Sequence, residues 1–443
     1  MKNSLIKAVL DIGNFKIKAL VGEIDKDTQK YEILGYTEKY SSGIKKSVIE
    51  DPESLSKTIQ NVLQELETIT GLKIDKVTVG IGGQFIKSRT TNARSTFSEK
   101  EIGKEELENL FVLAEKEMLL KGEMVLKREI YNMRVNNSGI IRNPVGHVGK
   151  ELQGDIHFVI VDQSYVDQIT EMVNRAGFKV EDVTLNIFAA SKSLLTEEDT
   201  KMGVAVIDIG EGSTDIIIFK NDKMIYTQSI PLGGMHYLSD LSYISKKSKV
   251  ESFEILTKLI KKDIVVEESK KYIYYGNDEK IEYSAVKNII DARTGDVINF
   301  ITGAIEESGF KGYLGKGLVF TGGTIGVEEV IEGIANKMTY QVRKSFIKPI
   351  VGIEEIKPGM STAIGMFLEI LKNKTDKEKE IPKKIKTEIE IQKPEETIEE
   401  KKEEEIFIID ENILKESVES KPEEKKKSKF SFIKEIFSNF NFM

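Results

Sequence analysis

Cysteine is absent from the 443 residues, which excludes disulfides and thiolate metal sites and is compatible with a reducing compartment. Histidine is scarce. His147, His157 and His236 show no metal-ligand spacing, and each reads as structural. There is no excess of positive charge: the formal net charge is -8, which argues against a general nucleic-acid binder. No stretch reaches the ~18 apolar residues of a spanning helix. The start, MKNSLIKAVLDIG, runs from its apolar stretch straight into a motif and does not read as a signal peptide. The length leaves room for two or more domains with real cores.

The most informative stretch is Val204 to Phe219, VAVIDIGEGSTDIIIF. Val204, Val206, Ile207 and Ile209 form one apolar run, and Ile216 to Phe219 form another. Runs apolar at nearly every position fit strands covered on both faces. Between them, Gly210 and Gly212 allow close approach to an anion, and successive turn amides share one concavity. Asp208, on the strand just before the turn, suits a hydrated Mg2+ beside phosphates. Alone this also fits a plain hairpin. The pattern recurs, however, in Ala8 to Glu23 (AVLDIGNFKIKALVGE), where Asp11 leads into Gly13 and Asn14. Two such hairpins predict two related half-domains facing one nucleotide. A third loop, LVFTGGTIG at Leu318 to Gly326, lets the backbone at Gly322 and Gly323 pass close to a flat ring or a sugar.

In this order the three motifs resemble the actin/sugar-kinase superfamily of ATP-binding folds. The resemblance implies an α/β, two-lobed actin-like (ribonuclease H-like) ATPase fold with ATP and Mg2+ as cofactors. Asp11-x-Gly13 matches the first phosphate loop, and Lys18 stands where actin-type loops carry a phosphate-contacting lysine. Asp208-x-Gly210-x-Gly212-x-Thr214 matches the second, and Thr321-Gly322-Gly323-Thr324 the adenosine loop. Asp11 and Asp208 would hold Mg2+ through water and orient the nucleotide. The amides of Gly13, Asn14, Gly210 and Gly212, with Lys18, Glu211, Ser213 and Thr214, would line the phosphates. Gly233-Gly234, just before a helix, offers free amides to a phosphate or ribose. Glu254, Gly322, Gly323 and Thr324 would flank the adenosine. Asn186 lies near the position that orients attacking water, and also reads as structural.

Along the chain, residues 1–84 read as the first part of subdomain 1A. A helix spans Pro52 to Thr70, buries Leu55, Ile59, Val62, Leu63 and Leu66 on one face and stops at Gly71. Residues 85–162 read as an insertion ordered strand, helix (Lys104 to Leu120), strand (Val125 to Val135), loop, strand (Asp155 to Val161). Asn143-Pro144-Val145-Gly146 is a turn signal. It also resembles a segment of the bacterial cell-division family FtsA, where this place holds a small α+β subdomain, 1C, of the SHS2 type. Residues 163–200 return to 1A, 201–235 form 2A, 236–314 form 2B, 315–345 resume 2A and 346–371 resume 1A. A short β segment at Tyr272 to Tyr283 and a helix at Asp296 to Ser308 are expected within 2B. Two departures stand out. Thr257 occupies the place of a family lysine, with Lys258 one residue on, and Glu211 replaces a glycine usual in FtsA proteins.

From Lys372 the chain is rich in Lys and Glu, and residues 372–424 read as a disordered tether. At ~100° per residue, Phe430, Phe432, Ile433, Ile436, Phe437, Phe440 and Met443 share one face of a helix over 425–443, and Phe442 misfits. Lys425, Lys426 and Lys427 flank it. Such a helix is built to lie in an anionic membrane surface.

The resemblance to FtsA implies a peripheral protein on the cytoplasmic face of the cell membrane at the division site. It would take the C-terminal peptide of the tubulin-like protein FtsZ on 2B and self-assemble into filaments. It would meet other divisome proteins through 1C and hydrolyse ATP slowly, if at all. The rivals are a pilus-assembly actin homologue of the PilM type and a soluble sugar or acetate kinase.

Overall fold

The structure is a computed structural model that describes residues 4–25, 28, 30–267, 269–353 and 355–378. The chain divides into two units, Met1–Ile381 and Pro382–Met443. All described residues lie in the first unit. The tail helix over 425–443 and most of the tether lie outside the described residues.

The recurring hairpins grow into two sheets of the same topology. In the first, Ser4–Ile12, Lys16–Asp25 and Tyr31–Tyr40 form an antiparallel meander. On the other side of Ser4–Ile12, strand Lys76–Ile81 pairs parallel, and Lys179–Leu185 pairs parallel with that. In the second, Val204–Ile209, Thr214–Lys220 and Lys223–Ile230 form the meander, with Leu318–Thr321 and Val342–Lys344 added in parallel. Each sheet has five strands, and the first strand of each hairpin is central. That centrality explains the uninterrupted apolar runs: Val204, Val206, Ile207 and Ile209 are fully buried. Lys223–Ile230 extends the hairpin beyond the two strands read from the sequence. It is turned by Asn221 and Asp222, both left-handed at φ 52 and 64.

Helix Pro52–Thr70 covers the first sheet. The Asp51 side chain caps it by accepting from the amides of Glu53 and Ser54, and left-handed Gly71 ends it. The predicted face is the buried one. Between the two sheets lie Asn186–Leu194 and Ser361–Glu378, in a core shared by Val9, Leu20, Val206, Phe219 and Phe367. The crossing is close at Gly365: a Cβ there would sit 1.9 Å from the carbonyl oxygen of Ala189. Ser361–Glu378 carries helical backbone past Lys372, where the tether was expected to begin. An established helix adds one hydrogen bond per residue, and Lys372, Lys374, Lys377 and Glu378 are good helix formers.

A second difference concerns Tyr283–Glu307, which is one helix of 25 residues and starts well before Asp296. Thr294-Gly295-Asp296 resembles a helix start, and Gly costs about 1 kcal/mol in a helix interior. Val286, Ile289, Ile290, Val297, Ile298 and Ile301 keep a single helical period across it, and their burial overrides that cost.

The insertion is a three-stranded antiparallel sheet in the order Lys87–Glu101, Val148–Asp162, Glu123–Val135. Helix Lys104–Met118 packs on one face through Leu110 and Ala114. The chain enters and leaves it from the first half, yet it is also tied to the second. Ser88 Oγ donates to Thr227 O at 2.7 Å, and Lys223 pairs with Glu129 at 2.7 Å. His157 is buried between Thr90 Oγ1 (2.9 Å) and Thr227 Oγ1 (3.0 Å). Asn143–Gly146 forms a tight turn in which the Val145 amide donates to Asn143 Oδ1 at 3.1 Å.

Candidate functional site in the cleft between the two sheets

Each hairpin brings its aspartate and its glycine turn to the same end of its sheet, and the two ends meet. A Cβ on Gly212 would lie 2.7 Å from Asn14 Nδ2. The third loop joins them. Left-handed Gly322, at φ 99, lets its backbone pass so near that a Cβ would meet Asp208 Oδ1 at 2.3 Å. Thr324 Oγ1 donates to Gly210 O at 2.9 Å. Gly323 has open space around it.

The charges are concentrated at the strand ends. Asp11 is buried and accepts from Lys18 Nζ at 3.0 Å and from Asn186 Nδ2 at 3.2 Å. Burial opposes the charge on Lys18, but Asp11, Asp208 and Glu38 outweigh it and hold the ammonium above its ordinary range. Burial, with Asp215 and Asp11 nearby, pushes the Asp208 carboxyl up to about 7, against the pull of Lys18. Burial raises Asp215 to about 6 and also lifts Glu211. Among the described residues no three carboxylate or imidazole side chains gather in metal-ligating geometry. A cation held through its water shell would meet the carboxylates of Asp11 and Asp208 at the strand ends. The buried, unpartnered Oδ1 of Asn186 adds an orphaned acceptor beside them.

Several expectations need correction. The amides at Gly233-Gly234 are not free. Gly234 N–H donates to Gly210 O at 2.9 Å, Met235 N–H to Glu211 O at 2.9 Å, and Gly233 N–H to His236 Nδ1 at 3.1 Å. They brace the second turn from behind. Gly13 N–H closes its own turn onto Lys16 O (3.2 Å), and Gly210 N–H closes onto Ser213 O (2.9 Å). Among the described residues, the amides of Asn14, Glu211 and Gly212 donate to no protein acceptor. They are among the donors that face the cleft. Thr214 is buried and its hydroxyl donates to Leu232 O at 2.6 Å. Ser213 Oγ donates to Asp215 Oδ2 at 3.4 Å. Glu254 accepts from the Gly276 amide at 3.1 Å and braces a hairpin. At the place of the family lysine, the Thr257 hydroxyl donates to Phe253 O, and Lys258 next to it pairs with Asp263 at 2.8 Å.

A family model described as "Cell division protein FtsA" matches residues 205–386, and one described as "SHS2 domain inserted in FTSA" matches residues 83–160. The chain belongs to the FtsA family. Cell division protein FtsA of Pseudomonas aeruginosa is 27% identical over 374 residues, covering 83% of this chain and 89% of the relative. That of Escherichia coli is 26% identical over 392 residues, covering 85% and 93%. Among solved structures, the PilM-PilN type IV pilus biogenesis complex superposes with a TM-score of 0.60 at 12% identity, over 82% of this chain and 98% of that one. This likeness shows the actin-like fold.

Two residues of this FtsA-family cleft escape motif reading. Asp215 lies one step beyond the glycine motif and is the register partner of Asp208. Phe15, at the tip of the first turn, packs on Phe253 of the second half with ring centroids 5.8 Å apart. The basic and aromatic residues of the expected tail lie outside the described residues.

Proposed function

We propose that this FtsA-family protein binds MgATP in the cleft, links FtsZ filaments to the cytoplasmic membrane surface and polymerises. The convergence of Asp11, Lys18 and Asp208 around the Asn14–Gly212 junction carries the nucleotide reading. It sets Lys18, Asp11, Asp208 and the amides of Asn14, Glu211 and Gly212 around a single gap, a donor set that fits a hydrated Mg2+ with phosphates. ATP serves as a clamp between two halves that share a core, and so sets competence to polymerise.

The outer part of the second half supports a peptide-binding role. A groove of about 510 Å3 is lined by Ile244, Lys247, Tyr275, Lys280 and Ile289. Its apolar floor suits the C-terminal peptide of FtsZ, and the rim lysines are paired, Lys247 with Glu279 and Lys280 with Glu267. The insertion presents a surface for other divisome proteins. Among the described residues no helix is long and apolar enough to cross a membrane. The membrane contact falls to the amphipathic pattern of 425–443 with its flanking lysines.

Co-sedimentation with anionic vesicles tests this reading, with and without ATP and then with FtsZ from the same source. FtsZ is expected in the vesicle pellet only when this protein is present. Removing Lys425 to Met443 is expected to release the protein from vesicles with ATP binding intact. Vesicle binding by the shortened chain would sink the membrane reading.

A further inference from the structure

A third element reaches the junction of the two glycine turns. It is a short hairpin in which Ile44–Lys45 pairs antiparallel with Val48–Ile49. Its tip residues, Lys46 and Ser47, are both left-handed, with φ 48 and 64. That is the primed-turn geometry that Asn and Gly adopt easily and that Lys and Ser resist. Such strain persists where surrounding contacts over-determine it.

Here those contacts come from both sides of the cleft. Ser47 N–H donates to Asn14 Oδ1 at 2.6 Å, which ties the tip to the first turn. Gln84 Nε2 donates to Lys46 O at 2.7 Å. A Cβ on Gly83 would lie 2.4 Å from Ser47 Oγ, and one on Gly212 would lie 3.5 Å from Lys46 Cα. The tip is thus seated between the first and second turns. Ser47 is buried by this seating, and Lys46 is left exposed. Its charge is felt at His236, which caps the helix behind Glu211–Gly212. Burial holds His236 below its ordinary range, and Arg293 and Lys46 press it further down.

The position along the second turn indicates which phosphate it meets. The adenosine-loop candidates Gly322 and Thr324 touch the start of the turn, at Asp208, Ile209 and Gly210. The hairpin touches its far end, at Gly212. A nucleotide lying along the turn would therefore bring its terminal phosphate to the hairpin.

We propose that the hairpin Ile44–Ile49 is a third wall of the phosphate site and that Lys46 contacts the terminal phosphate of a bound nucleoside triphosphate. The inference rests on the reading that this cleft binds nucleotide, and it adds discrimination of triphosphate from diphosphate. Lys46 is exposed with its Cα beside Gly212, whereas Lys18 is buried against Asp11.

The test is the affinity of the full-length protein for MgATP and for MgADP, in wild type, Lys46→Ala and Lys46→Arg. Loss of a charge-assisted contact predicts about tenfold weaker MgATP binding for Lys46→Ala. MgADP binding is expected to stay within about twofold, and Lys46→Arg to stay near wild type. Unchanged thermal melting of the nucleotide-free variants checks that the tip still folds. Equal loss for both nucleotides, or no loss for either, overturns the Lys46 assignment and leaves the nucleotide reading standing. A wild-type protein that binds neither nucleotide overturns both.

Discussion

Asp215 stands directly across from Asp208 in the second hairpin, in the same register that sets Lys18 across from Asp11 in the first. The repeated scaffold thus carries opposite electrostatics at equivalent points. The first hairpin neutralises its aspartate internally. The second places two carboxylates together, and burial with mutual repulsion makes one of them hard to ionise.

That pairing makes nucleotide-free stability depend on pH in a defined sense. The folded pKa of Asp208 is raised to about 7, so the folded state retains a proton that the unfolded chain has already lost. Stability attributable to this group falls as pH rises from the ordinary carboxylate range through about 7. Asp208→Asn is expected to stabilise the nucleotide-free protein by ~2 kcal/mol at pH 8 and to abolish MgATP binding. Urea denaturation across pH 4 to 8 reads the gap between variant and wild type. A gap that does not widen with pH would falsify the assignment.

Lys18 and Lys16 differ in what they support. Lys18 is buried against Asp11. Lys18→Ala strands that carboxylate and is expected to cost about 3 kcal/mol. Lys16 pairs with Glu38 in a half-exposed position, and Lys16→Ala is expected to cost under ~1 kcal/mol. Chemical denaturation of both variants checks the contrast.

The seam between the insertion and the second sheet turns on His157. Burial lowers its imidazole to about 4, so it is neutral at physiological pH. As pH falls from the ordinary imidazole range toward 4, the unfolded chain takes up a proton that the folded chain refuses, and stability declines. His157→Gln is expected to remove that decline. Thr227→Val leaves Nε2 without its partner and is expected to cost about 1–2 kcal/mol. Melting curves at pH 5 and 7.5 distinguish the two.

At the helix crossing, a side chain on Gly365 meets the backbone carbonyl of Ala189 rather than a movable side chain. Gly365→Ala is expected to lower stability by about 2 kcal/mol, whereas Gly359→Ala, in open space, is expected to change it little. Differential scanning calorimetry tests the pair.

The three glycine loops and their strands were legible because a buried strand needs an apolar run and a tight turn needs glycine. What those turn atoms do was not. Whether Gly234 N–H faces a ligand or Gly210 O depends on how the helix is set behind the turn, and no local pattern encodes that. The Thr214 hydroxyl is similarly turned toward Leu232. The strand Lys223–Ile230 had a signal in Asn221-Asp222, a pair suited to a primed turn. The hairpin at Lys46-Ser47 had none, because its residues oppose the conformation they adopt. Gly295 misled in the other direction: it reads as a break, and the period of the neighbouring apolar residues carries the helix through it.

Because the insertion springs from the first half and is bonded to the second at Thr227, it acts as a strut across the back of the molecule. Any swing of one sheet against the other must either pivot about Thr227 or drag the strut along. A small change in the width of the cleft thereby becomes a displacement of the insertion's outer edge.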